Sequence, residues 1–288
     1  FQAEDGIRDS VASRGLGDVY KRQILATSIE NSTGSVAWAN DSQTVFYTSK
    51  NETTLLGEKI WRHRLGTENS DIMIYHETDE TFYNGVYRSK SGKFIIIYHS
   101  STLLTDYQIL NANNPDGEFK RFTPRDFDHE YSIDHYKDRV YITTNWKAKN
   151  NRLMQTPDTR TGISNWKEVL PHRESVHLLS LEVFKDHLVI NERKNGLRQL
   201  RMINQQTGND EYIKFEEETY TSWVSVNEEF DTDILRFSYS SLVTPTSTFD
   251  YNMNSGQRSL LKQDEVVGGY DSNKYMSKRM YALSLIHI

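Results

Sequence analysis

Cysteine is absent from all 288 residues. That removes disulfides, iron–sulfur clusters, zinc–thiolate sites and thiol nucleophiles. No apolar run approaches the ~18–20 residues that a membrane helix needs, and the mean hydropathy is −0.71. An excess of basic charge is also lacking. The 34 Lys+Arg face 40 Asp+Glu, for a formal charge of −6. A general nucleic-acid binder needs a basic face to displace counterions, so that class is disfavoured, although a local basic patch is not excluded. Proline is scarce, at 5 residues, whereas aromatics reach 12%, with 17 Tyr and 12 Phe. A disordered chain is poorer in aromatics. The composition describes a soluble, globular, β-rich protein.

Catalytic strings are missing as well. There is no G-x-S-x-G elbow to strain a serine nucleophile. The phosphate-cradling GxxxxGK[ST] loop, GxGxxG and HExxH are absent. No catalytic, cofactor-binding or metal-binding residue is assigned on this basis.

The two ends stand apart. Residues 1–23 show neither helical nor strand periodicity and no apolar core of a signal peptide. They resemble a translated sequencing-adaptor string, and 283–288 (LSLIHI) resembles the adaptor of the opposite end. The expectation is a disordered, foreign segment at each end, with the genuine sequence over 24–282 and cut from a longer chain.

What is present is a repeat. A tight turn precedes each strongly apolar strand: Ser42-Gln43 before TVFY, Ser91-Gly92 before KFIIIY, Lys137-Asp138 before RVYI, Lys185-Asp186 before HLVI, and Asp231-Thr232 before DILRF. The second residues of these pairs are spaced by 49, 46, 48 and 46 positions. A second turn series at Gly66, Gly117, Gly162, Gly208 and Gly256 has spacings of 51, 45, 46 and 48. Glycine suits such turns because it tolerates positive φ.

Two turn series with one period imply units of four short strands. That is the signature of an all-β propeller. The second unit illustrates it, with strands at 84–89, 93–100, 106–112 and 119–124. Five blades are expected, at 35–82, 83–129, 130–176, 177–219 and 220–263, with 24–34 the remnant of a preceding blade and 264–282 a linker. Trp38, Phe46, Tyr87, Phe94, Tyr141, Phe184, Trp223 and Phe237 are the expected inter-blade core.

The densest polar cluster is Asp128-His129-Glu130 followed by Asp134-His135. Neighbouring strand residues point to opposite faces, so this spacing does not force convergence on a metal or a proton-transfer site. A polar lining at a blade mouth is expected instead. Glu216-Glu217-Glu218 reads as a solvated acidic loop and Lys147–Arg152 as a solubilising basic loop. In Trp61-Arg62-His63-Arg64, alternation sends Trp61 and His63 to one face and the arginines to the other, with an interdomain salt bridge as one use of them.

SVAWANDSQTVFYTSK with TLLGEKIWRHRLGT at 54–67, DHEYSIDHY at 128–136 and LRFSYSSLVTPTSTFDYNMNSGQRSLLKQDEV at 235–266 resemble, in order, the propeller of the prolyl oligopeptidase family of serine peptidases, in its oligopeptidase B branch. The resemblance covers nearly all of 24–282. It implies a seven-bladed propeller, of which five blades are present, over an α/β-hydrolase domain that holds the triad. It further implies hydrolysis of short peptides after Lys or Arg, a cytoplasmic location, no cofactor and no nucleic-acid or membrane partner. The triad would lie beyond Ala282, leaving this fragment as a substrate-gating domain that is itself inactive. Two other readings remain: a free-standing interaction propeller, and a glycoside-processing one built on carboxylates such as Asp134 and Glu182.

Five blades cut from a ring of seven expose two open edges. The isolated fragment is expected to aggregate, remain partly molten or close into a strained five-blade ring. Thermal unfolding with light scattering checks this, and a sharp, reversible, monomeric transition would contradict the truncated-ring reading.

Overall fold

The second strand of each repeat is apolar at consecutive positions rather than at alternate ones, which requires burial on both faces. The computed structural model describes residues 13–18, 23–67, 71–125 and 129–283. Its first four-stranded sheet consists of β3 (Ser32–Trp38), β4 (Thr44–Lys50), β5 (Gly57–Arg64) and β6 (Ile72–His76). The second holds β7 (Tyr83–Arg88), β8 (Phe94–Ser100), β9 (Thr105–Asn111) and β10 (Lys120–Arg121), and the third β11 (Tyr131–Tyr136), β12 (Arg139–Thr144), β13 (Arg152–Pro157) and β14 (Lys167–Leu170). The fourth is β15 (Val176–Val183), β16 (His187–Lys194), β17 (Leu197–Asn204) and β18 (Asp210–Tyr212), and the fifth β19 (Thr221–Val224), β20 (Ile234–Ser240), β21 (Ser247–Asn252) and β22 (Arg258–Gln263). Strand order within every sheet follows chain order, so each is an antiparallel meander. This is the all-β architecture of five four-stranded blades that the turn spacing implied.

The chain divides into two compact units, residues 1–137 with 157–166, and 138–156 with 167–288. In the first, one apolar face of sheet one (Ala37, Phe46, Ile60) packs on sheet two (Val86, Ile95, Ile97, Leu110). Phe119 meets the Phe46 ring edge-on at 5.5 Å. In the second unit, Phe184, Val189, Leu200 and Met202 of the fourth repeat pack on Leu235, Phe237 and Tyr239 of the fifth. Positions Thr44 to Thr48 in β4 and Phe94 to Ile97 in β8 are buried without interruption, while all of β22 is exposed. Burial thus runs from the early strands of a sheet outward to its last. Packing is close at Gly85, where an added Cβ would collide with the Tyr98 ring.

Several expectations need correction. Ser13–Asp18, inside the segment set apart as disordered, is strand β1, paired with β2 (Gln23–Glu30). The backbone ladder to a neighbour supplies the order that side-chain periodicity did not signal. Residues 283–288 fall almost wholly outside the described residues. The first sheet begins at Ser32, so the end of the expected remnant 24–34 belongs to it. Strand β10 has two residues where six were expected. The second turn series also splits: Gly66, Gly208 and Gly256 take positive φ, but Gly162 has φ −55° and opens a short 3-10 turn.

Alternation in β5 holds. His63 Nδ1 lies 2.7 Å from Asp71, whose carboxylate also accepts from the Tyr47 hydroxyl at 2.6 Å. On the other face Arg62 and Arg64 both reach Asp116, each at 3.1 Å. That salt bridge links the first two sheets rather than two domains. Lys147 and Arg152 stack on the Trp146 ring at 4.7 and 4.8 Å, which gives the basic loop a packing role beyond solubility.

Phe237 is fully buried between the fourth and fifth sheets. Phe237→Ala is expected to cost about 3–5 kcal/mol of stability, read from denaturant unfolding. A loss under about 1 kcal/mol would mean that this face is not packed as described.

Candidate functional site

Among the described residues of the polar segment, 129–136, the candidate side chains do not converge on one point. Asp128 lies outside the described residues. Glu130 is exposed, whereas His129 is buried. The His129 ring stacks on Tyr131 at 5.3 Å and meets Trp166 edge-on at 5.9 Å. Burial lowers the His129 pKa. In β11 the pattern Tyr131, Ile133, His135 is buried while Ser132 is exposed, so Asp134 and His135 face opposite ways. Asp134 and Glu182 fall in different compact units. Among the described residues there is no group of three or more His, Asp or Glu that could hold a metal ion.

His135 instead joins a string that the sequence did not reveal. Its Nδ1 lies 2.7 Å from the Ser91 hydroxyl and its Nε2 3.2 Å from Oδ2 of Asp158. Ser91 sits on the β7–β8 turn, and Asp158 follows β13. Hydroxyl, imidazole and carboxylate stand in the order of a nucleophilic triad, but the electrostatics oppose that use. Burial lowers the His135 pKa first, and Lys93 adds to the effect against Asp158. Lys93 is itself ion-paired with Asp158, so much of the charge that would stabilise an imidazolium is already matched. The Ser91 hydroxyl also faces the Ser89 hydroxyl at 3.1 Å, and its turn is no strand-to-helix elbow. The string works as a polar staple between sheets.

The strongest polar centre of the first unit is built around Arg125. The guanidinium lies 4.4 Å over the Phe82 ring. It donates to Glu77 at 2.7 Å and to Asp106 at 3.1 Å. Arg121 also pairs with Asp106, and the Tyr75 hydroxyl donates to Glu77 at 2.8 Å. Burial opposes ionisation of Glu77, but hydrogen bonds from Arg125 and Tyr75 outweigh it and bring the pKa down to about 2. For Asp106 burial wins over both arginines, and its pKa is raised. Beneath lies His99, fully buried, with Nδ1 2.5 Å from Oδ1 of Asn84 and Nε2 3.0 Å from Nε2 of Gln108. Burial first, then Arg125, brings His99 down to about 3, so the ring is neutral. A cavity of about 190 Å³ opens beside this centre, between the β4–β5 loop and the 77–82 connection, with Leu56, His76, Glu77, Asp79 and Phe82 in its wall.

A related cluster stands in the second unit. Glu192, fully buried, is paired with Arg173 and Arg201 and accepts from the Tyr212 hydroxyl at 2.7 Å. Glu217, expected to be solvated, is half-buried and accepts from Tyr239 at 2.9 Å and Thr244 at 2.6 Å. No sequence signal marks these partners, because they lie 9 to 27 residues apart and meet only when the chain folds.

Comparison with known proteins places this geometry. A family model described as the prolyl oligopeptidase N-terminal beta-propeller domain matches residues 15–264. The match begins inside the segment 1–23. Dipeptidyl aminopeptidase BI of Pseudoxanthomonas mexicana is 37% identical over 262 residues, covering 90% of this chain and 36% of that protein. Protease 2 of Moraxella lacunata is 31% identical over 270 residues, covering 93% and 38%. The structure of oligopeptidase B from Trypanosoma brucei with covalently bound antipain superposes with a TM-score of 0.79 at 28% identity, over 86% of this chain and 37% of that one. The chain therefore spans less than two fifths of each of these three relatives.

Two acid-driven losses of stability follow from the Arg125 centre. The folded His99 pKa lies below its ordinary 6.5, so its contribution is present above that value and is lost as pH falls toward 3. Its slope is ~1.4 kcal/mol per pH unit while the unfolded state holds one more proton. Glu77 adds a second loss as pH falls from its ordinary 4.5 through about 2. Urea midpoints between pH 7 and 4 are expected to decline, and His99→Gln to flatten the decline above pH 5. An unchanged slope in that variant would contradict the assignment.

Proposed function

The chain belongs to the prolyl oligopeptidase family through its N-terminal β-propeller domain, and from this premise we propose that it is the substrate-gating part of a cytoplasmic serine oligopeptidase that cleaves short peptides after Lys or Arg. The observation that carries the reading is the family match across 15–264. The likeness to oligopeptidase B supports the basic specificity. The role of these residues is steric. Stacked sheets restrict access, so that only short, flexible peptides reach a triad held in another domain, and the site beneath stays shielded from bulk water. The net charge of −6 steers cationic peptides weakly toward the protein. On this reading no described residue takes part in bond making. Ser91, which alone among the candidates has a histidine and a carboxylate in series, belongs to a neutralised staple.

A second reading concerns specificity alone. The 37% identity to a dipeptidyl aminopeptidase favours release of dipeptides from a free N-terminus by the same acyl-transfer chemistry.

Reading the transcript outward from codons 24 and 282 is expected to open a hydrolase with a G-x-S-x-G elbow followed by Asp and then His. The full-length enzyme is expected to cleave an N-blocked arginyl reporter at least tenfold faster than a free dipeptidyl reporter. The reverse ratio would select the second reading. A frame that stops near 282 would overturn both. Residues 24–282 alone are expected to be inert, and cleavage by pure material that resists serine reagents would contradict the gating role.

A further inference from the structure

The two faces of the fourth sheet treat their cations differently. On one, Arg201 is matched by the buried Glu192 and by Asp210, and Arg173 also reaches Glu192. On the other, Arg193 of β16 stands directly opposite Arg198 of β17. This is the face that Leu200 and Met202 turn toward the fifth sheet. A two-residue turn fixes the register: Asn195 and Gly196 take φ of 50° and 77°, the backbone that a tight hairpin needs. Directly opposed Cβ atoms are about 5 Å apart, and like charges placed there repel. Among the described residues neither guanidinium has a carboxylate within ion-pair distance. His177 of β15 stands opposite Arg193 on its other side. Burial first, then Arg193, lowers the His177 pKa, so this ring brings no balancing charge. A third guanidinium arrives from Arg279, which donates to the Asn195 carbonyl in the same turn. In a chain of formal charge −6, this hairpin holds positive charge that its own sheet leaves unbalanced.

Asn191 narrows the chemistry of what could balance it. It precedes Arg193 by two positions on the same face of β16 and is 7% exposed, and its Oδ1 has no hydrogen-bond partner. A buried acceptor without a donor is costly. Guanidinium forks bind carboxylates and phosphates in bidentate fashion, but the Asn191 oxygen asks for an N–H as well. The two positions lie about 7 Å apart along the strand. The last residue of a peptide spans that distance with one hydrogen bond at each end, its carboxylate on the arginines and its amide on Asn191.

We propose that Arg193 and Arg198, with Asn191 behind them, form a binding site for the free C-terminal carboxylate of a peptide. The inference deepens the peptide-handling reading of the whole protein and rests on it. Every unblocked peptide carries one such carboxylate whatever its sequence, so an anchor for it adds charge recognition to the steric filter without restricting side chains.

Calorimetric titration of the full-length protein with an N-acetylated tetrapeptide of neutral residues tests this. Such a peptide has neither Lys or Arg nor a free N-terminus, so it is not consumed on either reading of specificity. Its free acid is expected to bind at least tenfold more tightly than its C-terminal amide. Arg193→Gln with Arg198→Gln is expected to abolish that preference, with the urea midpoint held or raised because a like-charge pair is removed. Arg198→Lys keeps the charge but loses the fork and is expected to remove most of the preference. Equal affinity for acid and amide would overturn the inference, as would a preference that survives either substitution undiminished. Inorganic phosphate that binds at this pair as tightly as the acid would also overturn it, identifying a simple oxyanion site. Failure of the peptidase reading shows separately, as absence of cleavage of either reporter by a protein whose acid-over-amide preference can still be measured.

Discussion

Everything in this chain depends on the fact that one four-stranded sheet cannot bury its own two faces. A strand such as TVFYTSK, buried at five consecutive positions, has a stable place only between two neighbours. The aromatic and branched side chains at those positions bring large apolar area, and the close approach of ring to backbone at Gly85 shows how little space remains. The requirement selects a repeating architecture. Once one face is covered, the next sheet must come within ~10 Å of it, and the connection to it must be short.

Polar groups caught in such stacking have to be paired, because leaving one unpaired in the interior costs more than the pair contributes. The Arg125 and Glu192 clusters are two instances of this rule. At Glu192 two guanidinium groups and a tyrosine hydroxyl meet one buried carboxylate; in the Arg125 cluster two guanidinium groups meet Asp106 and the tyrosine hydroxyl meets Glu77. Their value lies in specificity: a sheet slipped by one residue would strand a charge. The Ser91–His135–Asp158 string belongs to the same class. Its likeness to a catalytic triad is a matter of order and distance, and burial together with Lys93 sets its character.

The architecture was largely legible in the sequence because turns are local. Ser91-Gly92 or Lys137-Asp138 announces a reversal whatever packs nearby, and five such turns at one period leave few folds. Strand lengths were less legible. The fourth strands are short and exposed, so β10 and β18 carry no hydrophobic pattern to count. The pairing of Ser13–Asp18 leaves no mark in the sequence for a related reason, since a backbone ladder needs no side-chain periodicity. The polar centres were not legible at all. Nothing in the local sequence of Arg125 points to Glu77, and nothing near Glu217 points to Tyr239. The staple at His135 is half visible: the histidine stands in a dense polar segment, but its partners arrive from another turn and another strand.

The gradient of burial from the second strand to the fourth also sets how such a sequence can drift. Replacements in β4, β8 or β16 meet neighbours on both sides and must conserve volume. Those in β22 largely meet water, apart from Arg258, which lies over the Phe215, Phe237 and Phe249 rings. A blade can therefore be rewritten from its rim inward while its centre holds the fold, so that two members of such a lineage can lose most of their identity yet keep the same stack of sheets.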